Sequence, residues 1–118
     1  KDGDLLTAAD FDFESEEIFS ISVIHTPGHT RGSMCLLFQV KTGVNRGQYL
    51  FSGDTVFAGT VGRTDLGGNM ADMMRSIDRL KQLPDDVTVY PGHGPSTTIG
   101  AEKTNNPYFT AGNYDDII

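Results

Sequence analysis

The sequence predicts an α/β fold of the α+β kind, in which a mixed β-sheet carries helices on one face. Two observations predict this fold. Four short runs with strand character are separated by glycine-containing turns, and one amphipathic helix precedes the last run. The chain has 118 residues, the length of one domain, with 37% hydrophobic residues and 14 glycines. These values favour a compact, turn-rich protein over a disordered one.

The predicted strands differ in how they are patterned. The first run alternates in part between large apolar and small polar residues, whereas the second is almost continuously apolar and is therefore predicted to be buried. A glycine-rich loop follows the third run, and a short helical turn follows the fourth. The predicted strands are residues 18–25, 33–40, 48–51 and 87–90, the loop is 58–68, and the helical turn is 99–104.

A helix is predicted over residues 69–83. Asn69 can cap it, Asp72 suits the dipole of its first turn, and Pro84 ends it. Its apolar residues recur at i, i+3, i+4, i+7 and i+10, which predicts that this stripe faces the core. The stripe consists of Met70, Met73, Met74, Ile77 and Leu80.

Three tight turns follow predicted strands and carry metal-ligand residue types. Pro27-Gly28-His29 and Pro91-Gly92-His93 lie either side of Ser52-Gly53-Asp54. Imidazole and carboxylate suit Zn, Fe or Mn, so a metal site is the leading hypothesis, with the aspartate bridging two ions. The alternatives are ordinary turn histidines bonded to backbone and an aspartate that forms an Asx-turn.

The predicted strand directions bring these three residues together. Hairpin-like connections make the first three strands alternate in direction, and the helical crossover leaves strand 87–90 parallel to strand 48–51. His29, Asp54 and His93 are then expected at one edge of the sheet, outside the carboxyl ends of three strands, where α/β sheets commonly bind ligands.

Five other side chains are weaker candidates. His25 is predicted to support the site or the local structure rather than to bind metal. Arg63 and Asp65 are predicted to form an ion pair that fixes the glycine-rich loop, with binding of a substrate anion by Arg63 as the alternative. For Lys103 and Tyr108, surface packing and substrate contact both remain open.

Charge and cysteine content limit the partners and the setting. The net charge is −7 and there is no basic stripe, so neither nucleic acid nor an anionic membrane is an expected partner. There is no apolar run near the ~20 residues that a transmembrane helix needs. The single cysteine, Cys35, lies in an apolar run and is predicted to be a buried core residue, which fits a reducing, cytoplasmic setting.

The ordered motifs resemble those of the metallo-β-lactamase-fold hydrolases, and within them the glyoxalase II-like (hydroxyacylglutathione hydrolase-like) branch. The resemblance covers nearly the whole chain. It is carried by Thr26-Pro-Gly-His-Thr30 with Gly32-Ser33, Phe51-Ser-Gly-Asp-Thr-Val-Phe57, Gly62-Arg63, Val89-Tyr-Pro-Gly-His-Gly94, Thr98-Ile-Gly-Ala-Glu-Lys103 and Asn106-Pro107.

The resemblance implies an αββα sandwich hydrolase with one or two metal ions, usually zinc and sometimes iron or manganese. His29 would bind the first metal, His93 the second, and Asp54 would bridge both as the catalytic carboxylate. A metal-bound hydroxide would attack the carbonyl of a small thioester such as an acylglutathione. Arg63 and Lys103 are the candidate substrate-binding residues.

One family motif is absent. The His-x-His-x-Asp-His segment expected upstream of the first Pro-Gly-His turn does not occur, so residues 1–118 are expected to be the C-terminal half of the domain. Each metal would then keep two protein ligands, whereas catalytic zinc usually has at least three. The chain alone is expected to be inactive, and to pair with the missing N-terminal half or with a second copy as a homodimer. Apolar strand residues such as Val23, Met34, Leu36, Phe38 and Leu50 are not all expected to be covered by the one helix, so the other face of the sheet is expected to need that partner.

Two other functions remain open at this point. One is a persulfide dioxygenase of the same fold, in which a mononuclear iron binds two histidines and a carboxylate. The other is a non-catalytic half-domain that pairs with another chain. The sequence does not identify the substrate.

Overall fold

The computed structural model describes residues 19–111. Within that range the chain forms seven strands and three helices, separated by short loops. The strands are β1 (Phe19–His25), β2 (Met34–Val40), β3 (Gly47–Gly53), β4 (Val56–Phe57), β5 (Thr60–Val61), β6 (Thr88–Pro91) and β7 (Thr97–Thr98), and the helices are α1 (Met70–Leu80), α2 (Ile99–Asn105) and α3 (Pro107–Thr110).

A five-stranded mixed sheet has the strand order β1-β2-β3-β6-β7. Strands β1, β2 and β3 are antiparallel neighbours, β6 runs parallel to β3, and β7 is antiparallel to β6. The predicted directions are therefore confirmed, because α1 provides the long crossover that a parallel pair requires. Strands β4 and β5 form a separate two-stranded hairpin.

Helix α1 begins where the sequence predicts and ends earlier. The side chain of Asn69 accepts a hydrogen bond of 2.7 Å from the backbone N–H of Asp72, which confirms the predicted cap. The predicted end at residue 83 is wrong by three residues. The N–H groups of Gln82 and Leu83 donate to carbonyls three residues back, so the chain tightens into a turn after Leu80.

The main core lies between one face of the sheet and the three helices. The sheet contributes Cys35, Leu37, Leu50 and Val89, all nearly or completely buried. The helices contribute five further residues, and Val56, Val61 and Val87 complete the cluster. This confirms helices on one face of the sheet and the core role of the methionine stripe. These helix residues are Met73, Ile77, Leu80, Ile99 and Phe109.

The opposite face of the sheet is also apolar. In the strand register Val23 pairs with Leu36, and Leu36 pairs with Phe51, so these residues share that face. Val23 is 40% exposed, whereas Phe38 is fully buried. Leu50 pairs with Leu37 on the helix side and is completely buried there.

Three short elements were not predicted: the β4–β5 hairpin, β7 and α3. The predicted glycine-rich loop 58–68 contains β5, and two-residue strands are too short to show a period. Within the part of the chain that the structure describes, no helix has the length and apolar character needed to cross a membrane.

Candidate metal centre

Three strands that run in the same direction place the three predicted ligands at one edge of the sheet. Strands β1, β3 and β6 end at His25, Gly53 and Pro91, and the loops that follow carry the two histidines and the aspartate. The loops after β3 and β6 are joined directly, because the N–H of Gly92 donates to the carbonyl of Gly53 at 2.8 Å. Topology therefore brings residues far apart in sequence to one location.

The carboxylate of Asp54 lies between the two imidazoles. Nε2 of His29 is 3.7 Å from one carboxylate oxygen, and Nδ1 of His93 is 3.3 Å from the other. Each histidine thus faces a different oxygen of the same side chain. This is the arrangement in which a carboxylate can bridge two neighbouring cation positions, each with one imidazole.

A hydrogen bond fixes which nitrogen of His29 is available. Its Nδ1 atom lies 2.7 Å from the backbone carbonyl oxygen of Arg63. A carbonyl oxygen only accepts, so Nδ1 carries the proton, and Nε2 presents its lone pair on the side of Asp54. Metal-binding histidines commonly have their second nitrogen held in this way.

Two glycines allow the site loops to pack closely. A Cβ on Gly28 would lie 2.6 Å from Cα of Met73, and Gly28 also has a φ of +151°. A Cβ on Gly62 would lie 1.8 Å from the backbone oxygen of Asp54. A side chain at either position would move the loop that carries a candidate ligand.

Buried hydroxyl groups join the first two site loops from below. The hydroxyl oxygens of Thr26 and Thr55 are 3.2 Å apart, and Sγ of Cys35 is 3.5 Å from that of Thr26. Both threonines are essentially inaccessible to solvent. Burial raises the pKa of the Cys35 thiol, so it stays neutral and its predicted core position is confirmed. Sequence reasoning missed this role of the threonines, although each lies within three residues of a candidate ligand.

A cavity of about 330 Å³ opens beside the three residues. One wall is the β4–β5 hairpin, and the ring of Phe57 lies against that of His93 with centroids 5.7 Å apart. The cavity thus combines polar groups that can hold a cation with an apolar wall that can contact a substrate. Its lining residues are His29, Asp54, Phe57, Thr60, Val61, Gly62, Arg63 and His93.

Arg63 lines the cavity, and its guanidinium pairs with Asp65. Two hydrogen bonds of 2.7 Å join the side chains, which confirms the predicted ion pair in this loop. The hydrogen bonds from Arg63 lower the pKa of Asp65 to about 2, and the same contact raises the pKa of Arg63. Binding of a substrate anion by Arg63 stays a prediction.

His25 and Lys103 lie outside the cavity. Nε2 of His25 is 2.9 Å from the carbonyl oxygen of Arg31, so this side chain closes the loop that carries His29, as the structural interpretation predicted. Nζ of Lys103 is 2.7 Å from a carboxylate oxygen of Asp85, and Lys103 is not among the lining residues. The structure brings together four of the predicted site residues and leaves Lys103 apart.

The donor types fit zinc, iron or manganese: two imidazoles and a carboxylate with both oxygens engaged. Within residues 19–111, however, no group of three or more His, Cys, Asp or Glu side chains is arranged to hold an ion by itself. Each side of Asp54 offers one imidazole nitrogen and one carboxylate oxygen. A catalytic zinc site needs at least one further protein donor on each side.

The family model of the metallo-beta-lactamase superfamily matches residues 3–93. The chain therefore belongs to this superfamily, whose members bind metals and are usually hydrolases. An uncharacterized protein of Mycobacterium tuberculosis is 51% identical over 92 residues, which are 75% of this chain and 40% of that protein. Hydroxyacylglutathione hydrolase GloC of Haemophilus influenzae is 34% identical over 113 residues, which are 94% of this chain and 47% of that protein.

A solved structure is also similar to this chain. The crystal structure of TTHA1623 in a di-iron-bound form matches with a TM-score of 0.64 and 42% identity, over 75% of this chain and 42% of that one. The predicted resemblance to the superfamily and to its hydroxyacylglutathione hydrolase-like branch is confirmed. The chain spans less than half the length of each of these proteins.

Proposed function

We propose that this chain is the C-terminal half of a metal-dependent hydrolase that cleaves a small thioester, such as an acylglutathione. One observation carries the proposal: the Asp54 carboxylate lies between His29 and His93, with a different oxygen toward each, at the mouth of a cavity. The similarity to a hydroxyacylglutathione hydrolase supports the substrate class. Zinc is the proposed metal, with iron or manganese as alternatives, and the cytoplasm is the proposed compartment.

The chain's own residues have distinct roles in this proposal. A bound metal ion supplies Lewis-acid chemistry, which polarises a carbonyl group and makes water a nucleophile near neutral pH. His29 contributes Nε2, since Nδ1 is held by the carbonyl of Arg63. Asp54 would offer one carboxylate oxygen on each side, and His93 would donate on the second side.

The cavity wall has the chemistry to orient a thioester. Phe57 and Val61 present apolar surface, and Thr60 adds a hydroxyl beside them. An acyl group packed against this wall would lie beside the candidate ligands, because both line the same cavity.

The proposed partner is the other half of the domain, with a homodimer as the alternative. The matched relatives are more than twice as long as the matched segment, and each cation position lacks a third donor. The sheet face that carries Val23 and Leu36 is apolar and lies opposite the helices. A second layer on that face completes the sandwich and brings the remaining ligands.

The test uses the whole encoded protein, with the 118-residue chain measured in parallel. Thiol release from a panel of acylglutathiones is followed with and without added zinc, for the wild type and for Asp54→Ala, His29→Ala and His93→Ala. We expect metal-dependent hydrolysis in the whole protein, and loss of both bound metal and activity in all three variants. Asp78→Ala, on the exposed side of α1, is the control that keeps both.

Three results would overturn the proposal. Unchanged metal content in the three variants would show that these residues do not bind the metal. Oxygen consumption with glutathione persulfide, together with no thioester hydrolysis, would instead favour the persulfide dioxygenase. Neither activity in a metal-loaded protein would favour a non-catalytic half-domain.

A further inference from the structure

The carboxylate of Glu102 is buried away from the candidate metal centre. Glu102 lies on α2 and is only 2% exposed. Its oxygens accept hydrogen bonds from neutral groups: the N–H of Gly59 at 2.9 Å, the hydroxyl of Thr97 at 2.7 Å and the amide of Asn106 at 2.8 Å. A buried carboxylate is expensive to desolvate, so this network calls for a physical role beyond filling space.

Asn106 extends the hydrogen-bond network from Glu102 to Thr60, the residue that follows Gly59. It is completely buried, and its Nδ2 atom donates to the carbonyl of Thr60 at 3.0 Å as well as to Glu102. Its Oδ1 atom accepts from the N–H of Tyr108, which fixes the orientation of the amide. Glu102 and Asn106 therefore hold a donor and an acceptor on adjacent residues, Gly59 and Thr60.

Those two residues belong to the hairpin that forms the cavity wall. Strands β4 and β5 pair through only two residue pairs, and Gly59 has a φ of +86° in the turn between them. A two-stranded hairpin this short is not stable by itself, so contacts from elsewhere must set its position. Phe57 and Thr60 of this hairpin line the cavity, and Phe57 contacts the ring of His93.

We propose that Glu102 and Asn106 are positioning residues that hold the β4–β5 hairpin against the candidate metal centre and so set the shape of the substrate wall. The pair acts through Phe57 and Thr60 and touches neither substrate nor metal. The expected effect of this pair on substrate binding rests on the proposed function, whereas its expected effect on the mobility of the hairpin does not. Loss of the pair should loosen the hairpin and weaken substrate binding more than it affects the chemical step.

The test compares four substitutions in the whole protein. Glu102→Leu removes all three acceptor contacts, whereas Glu102→Gln can keep them: the amide oxygen accepts from Gly59 and Asn106, and the amide nitrogen donates to the hydroxyl of Thr97. Asp86→Asn is the control, because it removes one carboxylate at an exposed position. Thr97→Val is a milder variant that removes one hydroxyl, for use if Glu102→Leu does not fold.

The first measurement is amide hydrogen exchange at Gly59 and Thr60, which needs no activity. We expect exchange to accelerate about tenfold or more in Glu102→Leu and several-fold in Thr97→Val, with Glu102→Gln and Asp86→Asn close to wild type. Exchange in Glu102→Leu or Thr97→Val that matches the wild type would overturn the proposal. Equal acceleration throughout the protein would also overturn it, since that would show a general loss of stability.

The second measurement is the split between KM and kcat for the thioester substrate. We expect KM to rise about tenfold in Glu102→Leu while kcat and zinc affinity change less than threefold, and Glu102→Gln to restore KM. A fall in kcat with unchanged KM would overturn the positioning role. If the protein hydrolyses no thioester but exchange still accelerates at Gly59, the proposed function fails and the hairpin role stands.

Discussion

The hydroxyl oxygens of Thr26 and Thr55 lie 3.2 Å apart, beneath the loops that carry His29 and Asp54. Thr26 follows β1 directly and Thr55 follows Asp54, so one buried contact joins two site loops that are far apart in sequence. Both side chains are inaccessible to solvent. The contact fixes the spacing between the loops without using a residue that faces the cavity.

Thr26→Val should destabilise the protein, because it keeps the shape of the side chain and leaves the Thr55 hydroxyl with one partner fewer. Loss of a buried hydrogen-bond partner costs about 1–3 kcal/mol. Thr26→Ser keeps the hydroxyl and should lose less. Urea unfolding of both variants measures the difference, and equal stability of the two variants would contradict a role for the hydroxyl.

Gly62→Ala should displace the loop of Asp54. The added Cβ would lie 1.8 Å from the Asp54 backbone oxygen, and overpacking of this kind costs about 1–3 kcal/mol. Gly32→Ala is the matched control, since no atom lies within 4 Å of its Cβ position. Zinc content and melting temperature are measured for both. Similar values in the two variants would mean that the loop at Gly62 yields freely.

The Cys35 thiol should be unreactive in the native protein and should make stability fall at alkaline pH. Burial raises its pKa in the folded state, whereas an unfolded thiol ionises near pH 8.5. The unfolded state therefore releases its proton first, and stability declines as pH rises above about 8.5. The slope of unfolding free energy against pH, from pH 7 to 10, should be steeper in the wild type than in Cys35→Ala. Parallel slopes would contradict this prediction.

Asp65 should titrate near pH 2 in the native protein. Two hydrogen bonds from Arg63 favour the charged carboxylate, so its contribution to stability is present above the unfolded pKa of about 3.9 and is lost as pH falls through about 2. Both groups are exposed, so the effect on overall stability is small. NMR titration should show the Asp65 midpoint rising in Arg63→Gln and staying in place in Lys41→Gln. A midpoint near 3.9 in the wild type would show that the pair does not persist in solution.

The sequence predicted the elements whose composition and periodicity are clear and whose connections are short. Strand 18–25, the almost continuously apolar run 33–40 and the crossover helix 69–83 were each visible from composition and period, and short connections fixed their relative directions. Because Pro27-Gly28-His29 and Pro91-Gly92-His93 follow strands that point the same way, the meeting of both histidines with Asp54 could be predicted before any distance was known.

The alternation of side chains along a strand does not by itself predict which face of the sheet Leu50 lies on. Strand β2 is apolar on both faces, so alternation separates the residues into two sets without saying which set meets the helices. The pairing of Leu37 with Leu50 settles this, since Leu37 packs in the helix-side core. The end of α1 at Leu80 similarly depends on the N–H groups of Gln82 and Leu83, which donate to carbonyls three residues earlier. The presence of Pro84 alone does not predict these bonds.

The sequence by itself determined the family, the mixed sheet and the three candidate ligands, because these depend on local periods, turn residues and chain order. Only the tertiary structure decided the tautomer of His29, the hydroxyl contact between Thr26 and Thr55, and the cavity wall held by Glu102. Each of these is a contact between side chains or backbone groups separated by 29 to 43 residues along the chain. No local pattern specifies such a contact, since it depends on how the loops and helices pack once the sheet has formed.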